Sequence, residues 1–268
     1  FPKTQIIYMC SDSYTDILNC FPGLINFTAN PIEEAGILKN IDYFAYLEDL
    51  VEDNFDEPIQ KVFAKPFKVE DKINQNTTLK LINRNFAVQN SKNQEKKGIG
   101  VQYSTSAPNR SYNIEKTIDL INKLLDKYPN EPIYLLGPPE DYLHVNYIQA
   151  KVSHPERIIP NGCGFQQLKL HDIMYLISTL KLVIGPDSSM IHLAGLCKTP
   201  FIGLFGPIDP SLRVKYYFNG KVIRYKGDCG SCYVHFPFNF CKFTNGLGLC
   251  LDQITTDDII DLSTTLIT

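Results

Sequence analysis

Short apolar runs alternate with amphipathic stretches along most of the chain, a rhythm that predicts strands and helices in turn. Residues 5–9 read as a buried strand, 12–20 as a short helix and 24–27 as a second strand, closed by the polar turn Thr28-Ala29-Asn30-Pro31. From Ile41 to Val51 acidic and apolar residues alternate, and the chain then turns polar, with Asn and Gln clusters at 74–76 and 90–94. The run Asn90-Ser91-Lys92-Asn93-Gln94-Glu95-Lys96-Lys97 has no apolar residue and reads as an interdomain linker. It divides the chain into an N-terminal part, 1–92, and a C-terminal part, 93–268.

Beyond Gly98 the rhythm sharpens. Ile99 to Tyr103 predicts a strand, and Ile114, Ile118, Ile121 and Leu125 recur at helical spacing through Tyr128. A strand follows at 133–136, Gly137-Pro138-Pro139 breaks the chain, 141–152 can be helical and 157–159 is a short strand. Ile173, Leu176, Ile177 and Leu180 line one face of a further helix. Strand 182–184, helix 190–196 and strand 201–204 complete the alternation. This order implies a mostly parallel sheet covered on both faces, the α/β class. Ligands of open α/β sheets lie beyond the carboxyl ends of the strands. The loops after Tyr103, Leu136, Ile184 and Leu204 are therefore expected to converge.

Composition narrows what could bind there. Apolar residues make up 44% and charged residues 21% of the 268, enough for a core, and the formal net charge is −3. Nucleic-acid binders usually carry a basic excess on one face, so a small neutral or anionic ligand fits better. No run approaches the roughly 20 apolar residues of a membrane span, and no signal-peptide pattern opens the sequence, which makes cytoplasmic the expected location.

Two of the loops carry suitable chemistry. Gly185-Pro186-Asp187-Ser188-Ser189 leads from a strand into a helix whose first N–H groups and partial positive charge suit a phosphate. Ser188 and Ser189 add hydroxyls, and His192 follows one turn later. The plainer alternative is that Asp187 or Ser188 caps the helix and His192 is a satisfied core polar group. The other loop, Ser104-Thr105-Ser106-Ala107-Pro108-Asn109-Arg110, joins three hydroxyls to a guanidinium that can grip phosphate in two places, although an ordinary polar loop can look the same.

Cysteines cluster late. Cys229, Cys232, Cys241 and Cys250 form a C-x2-C-x8-C-x8-C series, which suits a tetrahedral structural site for zinc or iron. In a cytosolic protein disulfides are disfavoured, leaving metal or buried thiols as the readings.

Taken together, Asp187-Ser188-Ser189-Met190-Ile191-His192-Leu193-Ala194, Lys198-Thr199-Pro200 and Leu204-Phe205-Gly206-Pro207-Ile208-Asp209-Pro210 resemble the heptosyltransferase family of GT-B glycosyltransferases. The likeness covers most of residues 98–262. It implies two Rossmann-like domains with a nucleotide-diphosphate sugar, of the ADP-heptose type, held between them. It further implies that Thr105, Ser106 and Arg110 hold the donor phosphates, Arg110 standing where the family usually has lysine. By the same likeness Asp141 meets the ribose and Leu168 lies beside the base, while Asp187, Ser188, Ser189 and His192 line the phosphate and sugar end. Ser189 departs from the family's glycine. Some family members hold iron through four cysteines at other spacings.

Residues 1 to about 90 match from the family's second βα unit, so the N-terminal domain is expected to lack the first unit and the aspartate proposed as general base. Asp12 and Asp16 are substitutes by position alone. The C-terminal helix, from about Thr256, is expected to pack back toward the N-terminal part. The resemblance implies sugar transfer, without a catalytic metal, to a hydroxyl of a glycan, a lipopolysaccharide core at a membrane surface, or a protein. A non-catalytic nucleotide-sugar-binding module is the alternative.

Overall fold

The computed structural model describes residues 6–10, 24–28, 56–68, 70–72, 96–137, 142–159, 170–225, 232, 241 and 248–267. Two parallel strands come first, β1 (Ile6–Cys10) and β2 (Leu24–Thr28), with Ile6 opposite Leu24. A short helix, α1 (Ile59–Ala64), starts after Pro58 and buries Val62 and Ala64. Its six residues are too few for a 3.6-residue apolar period to show in the sequence, which reads as polar there.

The main body is a sheet of six strands. They are β3 (Ile99–Val101), β4 (Ile133–Leu135), β5 (Ile158–Ile159), β6 (Leu182–Pro186), β7 (Phe201–Phe205) and β8 (Gly220–Arg224). Their order is β5-β4-β3-β6-β7-β8 and every neighbouring pair is parallel, as the alternation of apolar runs predicts. Alternate residues of one strand feed opposite faces. On β6 and β7, Leu182, Ile184, Ile202 and Leu204 enter one core, while Val183, Phe201 and Phe205 enter the other.

Helices cover both faces. On the first lie α2 (Ile114–Lys127) and α3 (Tyr142–Lys151), which bury Ile118, Leu120, Ile121, Leu124, Leu125, Val145 and Ile148 in the first core. Asn113 caps α2, its side chain accepting from the N–H groups of Glu115 and Lys116. At the other end of α2, the Arg157 guanidinium donates to the carbonyls of Leu125, Tyr128 and Glu131 at 2.9, 2.6 and 2.6 Å, satisfying groups that a helix end leaves open. That duty holds Arg157 in a turn rather than in the strand predicted for it. The second face carries α4 (Leu170–Thr179) and α5 (Ser189–Leu196), with Met174, Ile177, Ile191 and Leu193 packed on Val183 and Phe201.

Two C-terminal helices follow, α6 (Leu249–Asp252) and α7 (Thr256–Thr264). α7 packs on α2 of the sheet it follows, while most of the N-terminal part toward which it was expected to pack lies outside the described residues. Lys123 of α2 donates to Thr256 Oγ1 at 2.8 Å and to Asp257 at 2.7 Å, and Tyr128 shares a 2.8 Å bond with Ser263. Ile259 completes the seam by burying itself in the first core, so α7 closes the sheet it follows. Strand β8 was also missed, because an edge strand with one neighbour needs no continuous apolar run and its Val222 is exposed. Among the described residues no helix is long and apolar enough to cross a membrane.

Candidate functional site

From the central strand β3 the chain moves outward to β4 and β5 on one side, then returns to build β6, β7 and β8 on the other. Connections therefore diverge between β3 and β6. A crevice opens at such a switch point beyond the carboxyl ends of the strands, and it is where open α/β sheets bind ligands. The two loops singled out by their chemistry both end there.

Arg110 joins them. It closes the 3-10 turn Pro108–Arg110 after β3, and its Nη1 donates to the Asp187 carbonyl at 3.0 Å and to Asp187 Oδ2 at 3.4 Å. Its Nη2 reaches Ser106 Oγ at 3.2 Å. Thr105 works inside its own turn, since its hydroxyl donates to the Ala107 carbonyl at 2.8 Å and accepts from the Ala107 N–H at 3.2 Å. The Thr105 N–H is taken by Ser111 Oγ at 2.9 Å. Thr105 thus shapes the loop that presents Ser106 and Arg110.

The start of α5 has no side-chain cap. Ser188 occupies the N-cap position in an extended conformation, yet no side chain caps the helix. Its hydroxyl donates instead to Gln102 Oε1, a side chain at the end of β3. Ser188 therefore does not cap the helix through its side chain. Ser189 opens the helix and is exposed.

Asp187 is buried between cations. Arg213 Nε lies 3.8 Å from Asp187 Oδ2, and His192 Nε2 lies 4.0 Å from Oδ1. Side-chain exposure is 8% for Asp187, 9% for Arg213 and 15% for Arg110, so water screens these charges weakly. Burial of the His192 ring holds it below the ordinary imidazole range; Asp187 opposes that shift and the Arg213 charge adds to it. His192 Nδ1 lies 3.4 Å from the Tyr217 hydroxyl, and Tyr217 is itself pushed upward by burial. Gly195 makes room for that phenol: a Cβ there would sit 2.5 Å from Tyr217 Cγ. Gln60 of α1 donates to the Arg213 carbonyl at 2.8 Å.

The wall of the recess beside Arg110 and Asp187 comes from Phe205-Gly206-Pro207-Ile208, after β7, and from Leu251 of α6. Gly206 is needed because Cys250 Sγ would lie 2.5 Å from a Cβ at that position. The loops after β3, β6 and β7 meet there, and most of the loop after Leu136 lies outside the described residues. Asp141, Leu168 and Cys229 lie outside the described residues, as do Asp12 and Asp16. Cys232, Cys241 and Cys250 are described, and among the described residues no three His, Cys, Asp or Glu side chains group as metal ligands.

Sequence reasoning found Arg110, Asp187, Ser188 and His192 but passed over Gln60, Gln102, Arg213 and Tyr217. Arg213 carried a usable signal, standing three residues beyond the Phe205-to-Pro210 motif. The others are brought in by tertiary packing from positions that no local pattern marks.

A crevice at the switch point of a six-stranded parallel sheet is the arrangement of a Rossmann-type α/β protein. Residues 45–234 match the family model of glycosyltransferase family 9 (heptosyltransferase), and the chain belongs to that family. The structure is similar to the Escherichia coli ADP-heptose lipopolysaccharide heptosyltransferase II, with a TM-score of 0.70 at 14% identity, covering 100% of this chain and 90% of that one. It also resembles E. coli heptosyltransferase WaaC with ADP, at a TM-score of 0.58 and 12% identity over 99% of this chain and 91% of the other. The family 9 glycosyl transferase of Veillonella parvula gives 0.58 and 12% over 99% and 75%. At these identities the likeness establishes the fold, which is GT-B. No curated protein matches the sequence.

Proposed function

We propose that this protein transfers a sugar, heptose or a related one, from a nucleotide-diphosphate donor to a hydroxyl of a glycan, with a lipopolysaccharide core as the acceptor class its family suggests. The observation that carries the reading is the contact of Arg110 with Asp187, which ties the loops after β3 and β6 together at the switch point. Solved relatives hold ADP and ADP-2-deoxy-2-fluoro heptose, which supports a donor of the ADP-heptose type.

In this reading the diphosphate rests against Arg110, Ser106 and the first N–H groups of α5, with Thr105 setting the loop. Asp187, Ser188, Ser189 and His192 face the sugar end, and Asp141 and Leu168 serve the ribose and base. Transfer breaks the bond between the anomeric carbon and the diphosphate oxygen while the acceptor hydroxyl attacks that carbon and loses its proton. The negative charge left on the nucleoside diphosphate is offset by Arg110 and by the helix start, groups already in place before the reaction. Ser189, with a side chain where the family keeps glycine, narrows the space beside the donor and bears on which sugar is accepted.

Isothermal titration with ADP tests the site. Arg110→Ala is expected to weaken binding by about 1–3 kcal/mol, the worth of a hydrogen bond to a charged group. Unchanged affinity would remove Arg110 from the donor site. Transfer or hydrolysis of ADP-heptose, followed by release of ADP, tests the reaction itself. Binding without turnover in the full-length protein would favour a nucleotide-sugar-binding module.

A further inference from the structure

Gln60 lies on α1, ahead of the polar run 90–97, and yet reaches a residue 153 positions later: its Nε2 donates to the Arg213 carbonyl at 2.8 Å. The helix that carries it is anchored by Val62 and Ala64, both buried. Arg213 follows the 3-10 turn Pro210–Leu212, its N–H donating to the Pro210 carbonyl at 3.0 Å, and its Nε faces Asp187 Oδ2 at 3.8 Å. Asp187 in turn takes Arg110 Nη1 on its carbonyl and on Oδ2, and Arg110 and Asp187 both line the recess. Neither Gln60 nor Arg213 does.

Two contacts therefore separate α1 from the wall of the recess. The first is a hydrogen bond to backbone, which fixes where the end of the turn sits. The second is longer than a hydrogen bond, so the attraction between Arg213 and Asp187 depends on how that turn is placed. With side chains 9% and 8% exposed, water screens it weakly. The contact between Gln60 and Arg213 also leaves a donor and an acceptor over, because Arg213 Nη1 and Gln60 Oε1 are both buried without a hydrogen-bond partner. A junction satisfied only in part can settle differently when the charge balance at Asp187 changes.

We propose that Gln60 is a positioning residue of the donor site, setting the place of Asp187 through Arg213 and so coupling α1 to the recess; this rests on the donor-site reading given above. Coupling of this kind is reciprocal. If the seat of α1 raises the affinity of the recess for its ligand, the ligand must hold α1 more firmly in that seat.

ADP titrations of wild type and Gln60→Leu, with hydrogen exchange of residues 59–64 in the presence and absence of ADP, test both directions. Saturating ADP is expected to slow exchange in α1 of wild type by about fivefold, and Gln60→Leu is expected to weaken ADP by about the same factor and to lose that slowing. A packing role alone would lower the unfolding midpoint and move neither. Unchanged ADP affinity in Gln60→Leu, or retention of the slowing, overturns the proposal and leaves the donor reading standing. Exchange in wild-type α1 that ADP leaves unchanged overturns it as well, and this comparison decides should Gln60→Leu not fold. Failure of wild type to bind ADP overturns the proposal and the donor reading together.

Discussion

Two groups of charges sit on this sheet, and they are built on opposite terms. At the α2–α7 seam, Lys123 meets Asp119 at 3.1 Å and Asp257 at 2.7 Å, with side chains 35%, 52% and 79% exposed. At the β3–β6 end, Arg110 and Arg213 share Asp187, and all three side chains are 15% exposed or less. The seam is paired and wet, so removing one member returns its partner to water. The crevice is dry and crowded with cations around one carboxylate, an arrangement whose parts cannot be taken away singly. The difference separates charges that finish a surface from charges held in the interior.

The largest effect is expected from breaking the dry group. Asp187→Asn leaves two guanidiniums facing a neutral amide, and chemical denaturation should show a loss of about 3–5 kcal/mol, the usual result of removing one partner from a buried ion pair. A loss no larger than that of a surface pair would contradict the buried-charge account.

A smaller effect lies in the pH dependence. Because the folded protein holds His192 below its ordinary range, the unfolded chain takes up that proton first as pH falls. Stability is then gained as pH rises through the interval between the two values and lost below about 6.5, with a slope of at most about 1.4 kcal/mol per unit. Unfolding curves at several pH values should therefore be flatter for His192→Gln than for wild type over that interval. Equal slopes would show that the ring does not titrate differently on folding.

Asp257→Ala at the seam is the contrast. Its unfolding midpoint should lie within experimental error of wild type, since the pair is exposed and screened. A marked drop would mean that the seam, too, depends on its charges.

Much of this was legible in the sequence, for physical reasons that differ by region. Continuous apolar runs such as Leu182-Val183-Ile184 and Phe201-Ile202-Gly203-Leu204 belong to parallel strands buried on both faces, so their order gave the sheet. Arg110 and Asp187 stood out because they follow such strands directly. Strand β8 and helix α1 were hidden by short length and an exposed face. The contacts of α7 with Lys123 and Tyr128 were not legible because those partners lie more than a hundred residues earlier and no local pattern links them. Tyr217 and Gln60 were hidden because each reaches the site by packing, whereas Arg213 stands close behind the Phe205-to-Pro210 motif and carried a local signal.

The most direct measurement is a crystal structure of the protein with ADP. The account predicts the diphosphate between the loops after β3 and β6, within hydrogen-bond distance of Arg110 and of the first N–H groups of α5. A diphosphate bound elsewhere, with Arg110 and the start of α5 untouched, would contradict it.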